Sequence, residues 1–165
     1  MLMIKQLSPE HLSNVLLIIK SVIAKMTAEH IEQWDEVYPD CEIIKQDIDS
    51  RQAYGFFEQE ELKAYLVLNE DYSPEYDALE WKDEGEKQLI IHRLSVGAGC
   101  QGQGIAGTLM NFAEEYARDS GYSSIRLDAF LQNKAALKLY EKRGYENVGT
   151  VVFRKGVFNC YEKIL

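Results

Sequence analysis

Apolar positions recur along this chain with two different periods, and the switches between them mark its elements. Near the start, Leu12, Val15, Leu16, Ile19, Val22 and Ile23 stand three or four residues apart, the spacing of one helix face. Ser8 and Pro9 come just before. Serine caps a helix and proline suits its first position, so the helix is predicted to begin there. Further helical stretches are predicted within residues 28–34 and over 42–49, the second on Ile43, Ile44 and Ile48. From residue 54 the pattern changes. Tyr54-Gly55-Phe56-Phe57 and residues 62–68 are rich in strand formers, and Glu58-Gln59-Glu60-Glu61 between them reads as the turn of a hairpin. The polar stretch 70–87, with Pro74, Tyr76 and Trp81, predicts a loop, and Leu89–Val96 predicts a strand. A glycine-rich loop follows, then a helix over 102–119 on Ile105, Leu109, Phe112, Ala113, Tyr116 and Ala117, stopped by Gly121. Residues 125–130 read as a strand, and 133–143 as a helix capped by Asn133 and ended by Gly144. Residues 146–154 and 157–164 read as two strands joined at Lys155-Gly156. The order is one mixed α/β domain over residues 1–165, with antiparallel strands at both ends and a β-α-β unit between them.

Composition narrows the function classes. At 165 residues and 46% apolar, the chain is long enough to bury a sizeable core. No apolar run approaches the roughly 18–20 residues that span a bilayer, and residues 1–5 lack the pattern of a signal peptide. Cys41, Cys100 and Cys160 are odd in number and widely spaced, which argues against a disulfide framework or a structural zinc site. The expectation is a reduced, cytoplasmic protein without a metal or a membrane partner. The net charge of -9 argues against nucleic acid. That charge is uneven: residues 1–85 carry 19 acidic and 7 basic side chains, residues 86–165 carry 8 and 11. A solvated acidic surface is the plainer reading of this imbalance; the sharper alternative is an anionic ligand held by the second half and a cationic one approached by the first.

The most informative stretch is Val96-Gly97-Ala98-Gly99-Cys100-Gln101-Gly102-Gln103-Gly104-Ile105-Ala106-Gly107. It joins a strand to a helix. Glycines there let backbone approach a ligand closely, and the unpaired N–H groups and dipole of the helix start suit a pyrophosphate. A dinucleotide fingerprint, GxGxxG, is present in two registers, from Gly97 and from Gly102, with Asp128 about 20 residues beyond the second. Against an NAD(P)-dependent oxidoreductase stand the five-residue loop between Val96 and Gly102 and the 58 residues after Gly107, too few to complete a doubly wound sheet.

Gln101-Gly102-Gln103-Gly104-Ile105-Ala106 resembles the [Gln/Arg]-x-x-Gly-x-[Gly/Ala] acyl-CoA loop of the GNAT family of N-acetyltransferases. Leu94-Ser95-Val96 before it and Leu109-Met110 after it are similar too. Asn133-x-x-Ala136-x-x-x-Tyr140-Glu141-Lys142-x-Gly144-Tyr145 resembles the family's second motif. The likeness covers about residues 88–146. It departs from the pattern at Ala98, where members often carry proline, and near Cys100, where they often carry an aromatic or histidine.

The resemblance implies a mostly antiparallel sheet flanked by helices, and transfer of the acetyl group of acetyl-CoA directly to a primary amine, of a small molecule or a peptide terminus. The pyrophosphate would lie on the N–H groups of Gln101–Gly107, including Gly107 itself. Backbone groups around Leu94, Ser95 and Val96 would hold the pantetheine arm like an added strand. Asn133 would bond the same arm, with Ala136 beside it. Tyr140 would protonate the departing thiolate. His92, two residues before Leu94 on the central strand, is the expected base, with Asp128 the weaker candidate because Arg126 could occupy it structurally. Trp34, Tyr38, Tyr76 and Trp81 lie in segments suited to lining the acceptor site, although aromatics more often pack. The strands ending Tyr161-Glu162-Lys163 are a candidate homodimer edge. A non-catalytic acyl-CoA sensor on the same fold stays open as an alternative.

Overall fold

The computed structural model describes residues 1–165. Its elements in chain order are β1 (Leu2–Gln6), α1 (Leu12–Ala28), α2 (Cys41–Asp49), β2 (Ala53–Glu58), β3 (Glu61–Asn69), β4 (Gln88–Val96), α3 (Ile105–Asp119), β5 (Ser124–Phe130), α4 (Lys134–Lys142), β6 (Glu146–Phe153) and β7 (Gly156–Ile164). Short 3-10 turns occupy Pro9–His11, Pro74–Ala78 and Ala98–Cys100. The strands form one sheet in the order β1-β2-β3-β4-β5-β7-β6, with β1–β2, β2–β3, β5–β7 and β6–β7 antiparallel. β4 and β5 run parallel, in register only from Gln88↔Ser124 to Ile90↔Arg126. This is the mixed, mostly antiparallel sheet flanked by helices that was expected, and not the doubly wound parallel sheet that a dinucleotide enzyme needs.

The chain divides into two compact units. The first comprises Met1–Leu68 and His92–Phe112. Its core gathers Val15, Ile18, Ile19 and Val22 of α1, Ile44 and Ile48 of α2, and inward residues of the hairpin such as Phe57 and Tyr65. Each such aliphatic side chain contributes about 1.5–3 kcal/mol of burial. The segment Pro9–Ala28 is long and apolar enough, at mean hydropathy 1.2, to meet the requirements of a membrane span, which its interrupted sequence pattern does not suggest. In the fold, α1 puts Val15, Ile18, Ile19 and Val22 into this core.

The helix predicted within residues 28–34 is absent, and the reason is local. His30 adopts a left-handed φ of 59°, Ile31 N–H donates to the Met26 carbonyl at 2.8 Å, and His30 N–H donates to that of Thr27 at 3.1 Å. These paired bonds close α1 with a Schellman cap, so the chain leaves the helix direction at Glu29.

The second unit comprises Asn69–Ile91 and Ala113–Leu165. β7 lies between β5 and β6, so the strand carrying Tyr161-Glu162-Lys163 is paired on both sides and has no free edge for a dimer. The edge strand there is β6. Residues 70–87 are irregular apart from one 3-10 turn, and Glu162 ties them to the sheet. Its buried carboxylate accepts from the N–H groups of Lys82 (2.8 Å) and Asp83 (3.0 Å) and from Arg126 Nε (3.0 Å).

Candidate active site

In the first unit, the site is built on the end of β4 and the loop that follows. Gly97 N–H donates to the Lys63 carbonyl at 2.9 Å, and a Cβ at Gly97 would meet that oxygen at 3.2 Å, so the chain leaves the strand pressed against its neighbour. One 3-10 turn later, Gly102 and Gly104 take φ values of 77° and 80°, a region L side chains rarely adopt. Nothing lies within 4 Å of a Cβ at either position. Residues 101–104 are exposed, and α3 starts at Ile105 rather than at residue 102. The first N–H groups of α3, from Ile105, Ala106 and Gly107, have no partner within the helix and point toward its start. The loop is therefore a backbone cradle open to solvent at a positive helix end.

Side chains hold the cradle in place. Gln101 receives a hydrogen bond from Lys25 Nζ at 2.5 Å and gives one to the Val96 carbonyl at 3.1 Å. The Ala98 N–H donates to Ser21 Oγ at 3.2 Å. The Val96 carbonyl thus accepts from the Gln101 side chain. Ser95 is 3% exposed, and its hydroxyl donates to the Arg93 carbonyl at 2.8 Å, so its side chain serves the strand. Ile105 is likewise buried and anchors the helix.

β4 is irregular at Arg93, whose φ is 52°. A left-handed non-glycine residue costs about 1–2 kcal/mol and interrupts the pleat. The period-two argument that put His92 on one face with Leu94 does not carry across it. His92 is half-buried, and so is Leu94. The Arg93 side chain turns inward. Its Nε and Nη2 donate to the two oxygens of Asp47 at 2.7 and 2.6 Å, and Nη1 donates to the Tyr38 hydroxyl at 2.9 Å. Tyr38 and Trp34, weighed as acceptor-lining residues, are thus a partner of Arg93 and a core residue 7% exposed.

In the second unit, Asn133 is the N-cap of α4, and its side-chain oxygen accepts from the Ala136 N–H at 3.2 Å. Tyr140, in the last turn of the same helix, is 7% exposed and packs edge-on to Tyr145 and beside Tyr161, with ring centres 6.0 and 5.9 Å away. Burial, helped by the charge of Asp128, pushes its phenol above the usual range, so it stays protonated through neutral pH.

Asp128 on β5 is the residue whose surroundings differ most from expectation. Arg126 does not occupy it. That guanidinium is taken by Glu162, by the Asp83 carbonyl at 3.0 Å and by the face of Trp81 at 4.5 Å. Instead the Tyr76 hydroxyl donates to Asp128 Oδ2 at 2.6 Å. Tyr76 is 3% exposed and is itself fixed by Trp81 Nε1, which donates to its carbonyl at 2.9 Å. Burial raises the Asp128 carboxyl above the ordinary carboxylate range, against the Tyr76 hydrogen bond. Cys160 is the cross-strand partner of Asp128, and burial with that neighbouring charge pushes its thiol up to about 12. Sequence reading had singled out neither Arg93 nor the Tyr76–Asp128 pair. The one visible signal was a charged arginine inside a predicted strand, Leu89-Ile90-Ile91-His92-Arg93-Leu94.

The sequence profile of the acetyltransferase (GNAT) family matches residues 20–145. The chain belongs to that family. Among curated relatives, it is 31% identical over 120 residues to the uncharacterized N-acetyltransferase YesJ of Bacillus subtilis, covering 71% of this chain and 66% of YesJ. It is 42% identical over 65 residues to N-acetyltransferase 8 of Mus musculus, 39% of this chain and 29% of that protein. The chain thus spans between about a third and two thirds of these relatives. Among solved structures, a GNAT-family acetyltransferase of Streptococcus agalactiae superposes with a TM-score of 0.87 at 24% identity, over 99% of this chain and 95% of the other. The PaiA N-acetyltransferase of Thermoplasma acidophilum, solved in complex with coenzyme A, superposes at 0.74 and 20% identity, over 100% and 99%. These structural likenesses establish the fold. The family match falls on both motifs described above: the glycine cradle and α4 up to Tyr145.

Proposed function

We propose that this protein is an N-acetyltransferase that moves the acetyl group of acetyl-CoA directly to a primary amine of a small molecule or peptide terminus. The observation that carries the reading is the open backbone cradle of Gln101–Gly107 at the start of α3. It offers backbone N–H groups to a pyrophosphate, with the Lys25 ammonium held beside it on Gln101, which is what an exposed loop of glutamines and left-handed glycines can do.

In the transfer, the amine lone pair attacks the thioester carbonyl carbon, a C–N bond forms, and the C–S bond breaks toward sulfur. Tyr140 gives its phenolic proton to the sulfur as charge develops there. The burial that makes Tyr140 a weaker acid also makes a nascent thiolate a stronger base, so the two effects offset. His92 accepts the amine proton, directly or through water. Asn133 holds the pantetheine arm while capping α4.

The test is turnover. Purified protein with acetyl-CoA and a panel of alkylamines and free-terminus peptides is assayed for thiol release, and products are identified by mass spectrometry. Thiol release matched by an acetylated amine supports the reading. Saturable CoA binding with no acetylated product from any amine identifies the non-catalytic sensor instead.

A further inference from the structure

Three unusual features meet at one place in the first unit. Arg93 stands in a left-handed conformation inside a strand. Its side chain, 10% exposed, forks onto the 8%-exposed carboxylate of Asp47 and reaches the Tyr38 hydroxyl. Beside them the Tyr65 hydroxyl, in a residue with no exposed surface, makes no hydrogen bond of ordinary geometry. Ser95, its neighbour, donates to the Arg93 carbonyl instead. A buried ion pair is weak evidence for stability, since apolar packing commonly does as well. A strained backbone and a buried hydroxyl with only a poorly aligned contact to Ser95 both add cost, and such costs concentrate where geometry is being held for a purpose.

The geometry of the network suggests what is being held. Asp47 lies on α2 and Tyr38 in the connection before it, so both anchor points are 46 and 55 residues away in sequence. The fork is bidentate, and fixes the guanidinium plane as well as its position. With side chain and carbonyl both fixed, the residue between His92 and Leu94 cannot relax into the ordinary pleat. The backbone that follows, Leu94 to Val96, leaves this turn in a direction set by Arg93.

We propose that Arg93 is a positioning residue for acyl transfer: its fork on Asp47 and Tyr38 holds the left-handed turn of β4 and so aims a backbone N–H of the Leu94–Val96 segment at the thioester carbonyl. This rests on the acetyl-CoA reading above. The Arg93 guanidinium is taken up by Asp47 and Tyr38, so it acts through the backbone. It acts by keeping a polarising donor in line with the carbonyl oxygen, where small misplacements are costly.

The test is isotope-edited infrared spectroscopy of acetyl-CoA labelled with carbon-13 at the thioester carbonyl, bound to wild type, Arg93→Gly and Arg93→Lys. A carbonyl accepting a hydrogen bond stretches at lower frequency than the free thioester. Glycine tolerates the left-handed φ, so Arg93→Gly removes the anchor without adding backbone strain. The expected result is a lowered frequency in wild type, at least half of it lost in Arg93→Gly. Arg93→Lys, which keeps the charge but not the fork, lies between. With an amine that wild type acetylates, kcat falls roughly tenfold while KM for acetyl-CoA stays within about twofold. Should Arg93→Gly not fold, Tyr38→Phe, which leaves the ion pair in place, must show a smaller loss of the same shift. A folded Arg93→Gly that binds acetyl-CoA with the wild-type carbonyl frequency overturns the positioning role alone. A wild type with no band from bound acetyl-CoA overturns the acetyl-CoA reading itself.

Discussion

Replacing Gly104 by alanine separates two costs that the loop geometry predicts. Gly104 has φ 80° and open space where a Cβ would go, so the added methyl meets no atom of the protein. The stability cost is then the backbone preference alone, about 1–2 kcal/mol for an L residue in the left-handed region. The reduced freedom of the unfolded chain returns about 0.4–1 kcal/mol. A net loss of about 1 kcal/mol lowers Tm by roughly 2–4 °C in a chain of this size. The ligand cost is separate. A methyl on the open side of the cradle keeps a pyrophosphate off the N–H groups, and losing one charge-assisted hydrogen bond costs about 1.5–3 kcal/mol. That corresponds to a Kd for CoA raised roughly 10- to 100-fold. Calorimetric titration with CoA, and with pantetheine, which has no pyrophosphate, reads the second cost, and thermal unfolding reads the first. Pantetheine affinity is expected to be unchanged. Gly99→Ala is the control for stability, since Gly99 has no positive φ and nothing within 4 Å of its Cβ. A Gly104→Ala protein that loses the predicted Tm yet binds CoA within about twofold of wild type would refute the cradle.

Tyr140→Phe is expected to lower kcat by about tenfold or more with KM for acetyl-CoA unchanged, and equal kcat would remove the phenol from the mechanism. Burial raises the Asp128 carboxyl above its unfolded value, so folding favours its protonated form. That contribution is full below the unfolded pKa, near 3.9, and is lost as pH rises through the folded value. Asp128→Asn, which can still accept from Tyr76, should therefore melt higher than wild type at pH 8, the gap closing toward pH 4; a pH-independent difference would contradict this. In alkylation followed by mass spectrometry at pH 8, exposed Cys41 should react, while Cys160, its thiol pushed up to about 12, should stay unmodified until the protein unfolds. Glu162→Gln leaves the Arg126 guanidinium short of its buried partner and should destabilise by about 3 kcal/mol, read by urea unfolding.

The features legible in the sequence were those whose causes are local. Glycines that must take positive φ announce themselves between a strand and a helix, so the cradle at Gly102 and Gly104 was readable, and so was the Asn133 cap three residues before its partner Ala136. Sequence alone did not show the bonds that join distant segments. The Arg93 fork spans 46 residues, the Tyr76–Asp128 bond spans 52, and the Glu162 clamp on residues 82–83 spans 80. No periodicity encodes such pairs. The early end of α1 was missed for a different reason. A Schellman cap normally advertises itself with glycine, and here His30 takes the left-handed position. The polar stretch 70–87 looked like a simple loop because the bonds that tie it to the sheet come from distant residues, Glu162 and Asp128.

The central claim is that the glycine loop holds the pyrophosphate of acetyl-CoA, and thermal unfolding of the purified protein with acetyl-CoA, CoA and NAD(P)H in parallel tests it most directly. A ligand at about 100 times its Kd stabilises by about 2.7 kcal/mol, which raises Tm by roughly 5–10 °C in a chain of this length. The account predicts that rise with acetyl-CoA and with CoA and none with NAD(P)H; a rise with NAD(P)H and none with CoA would contradict it.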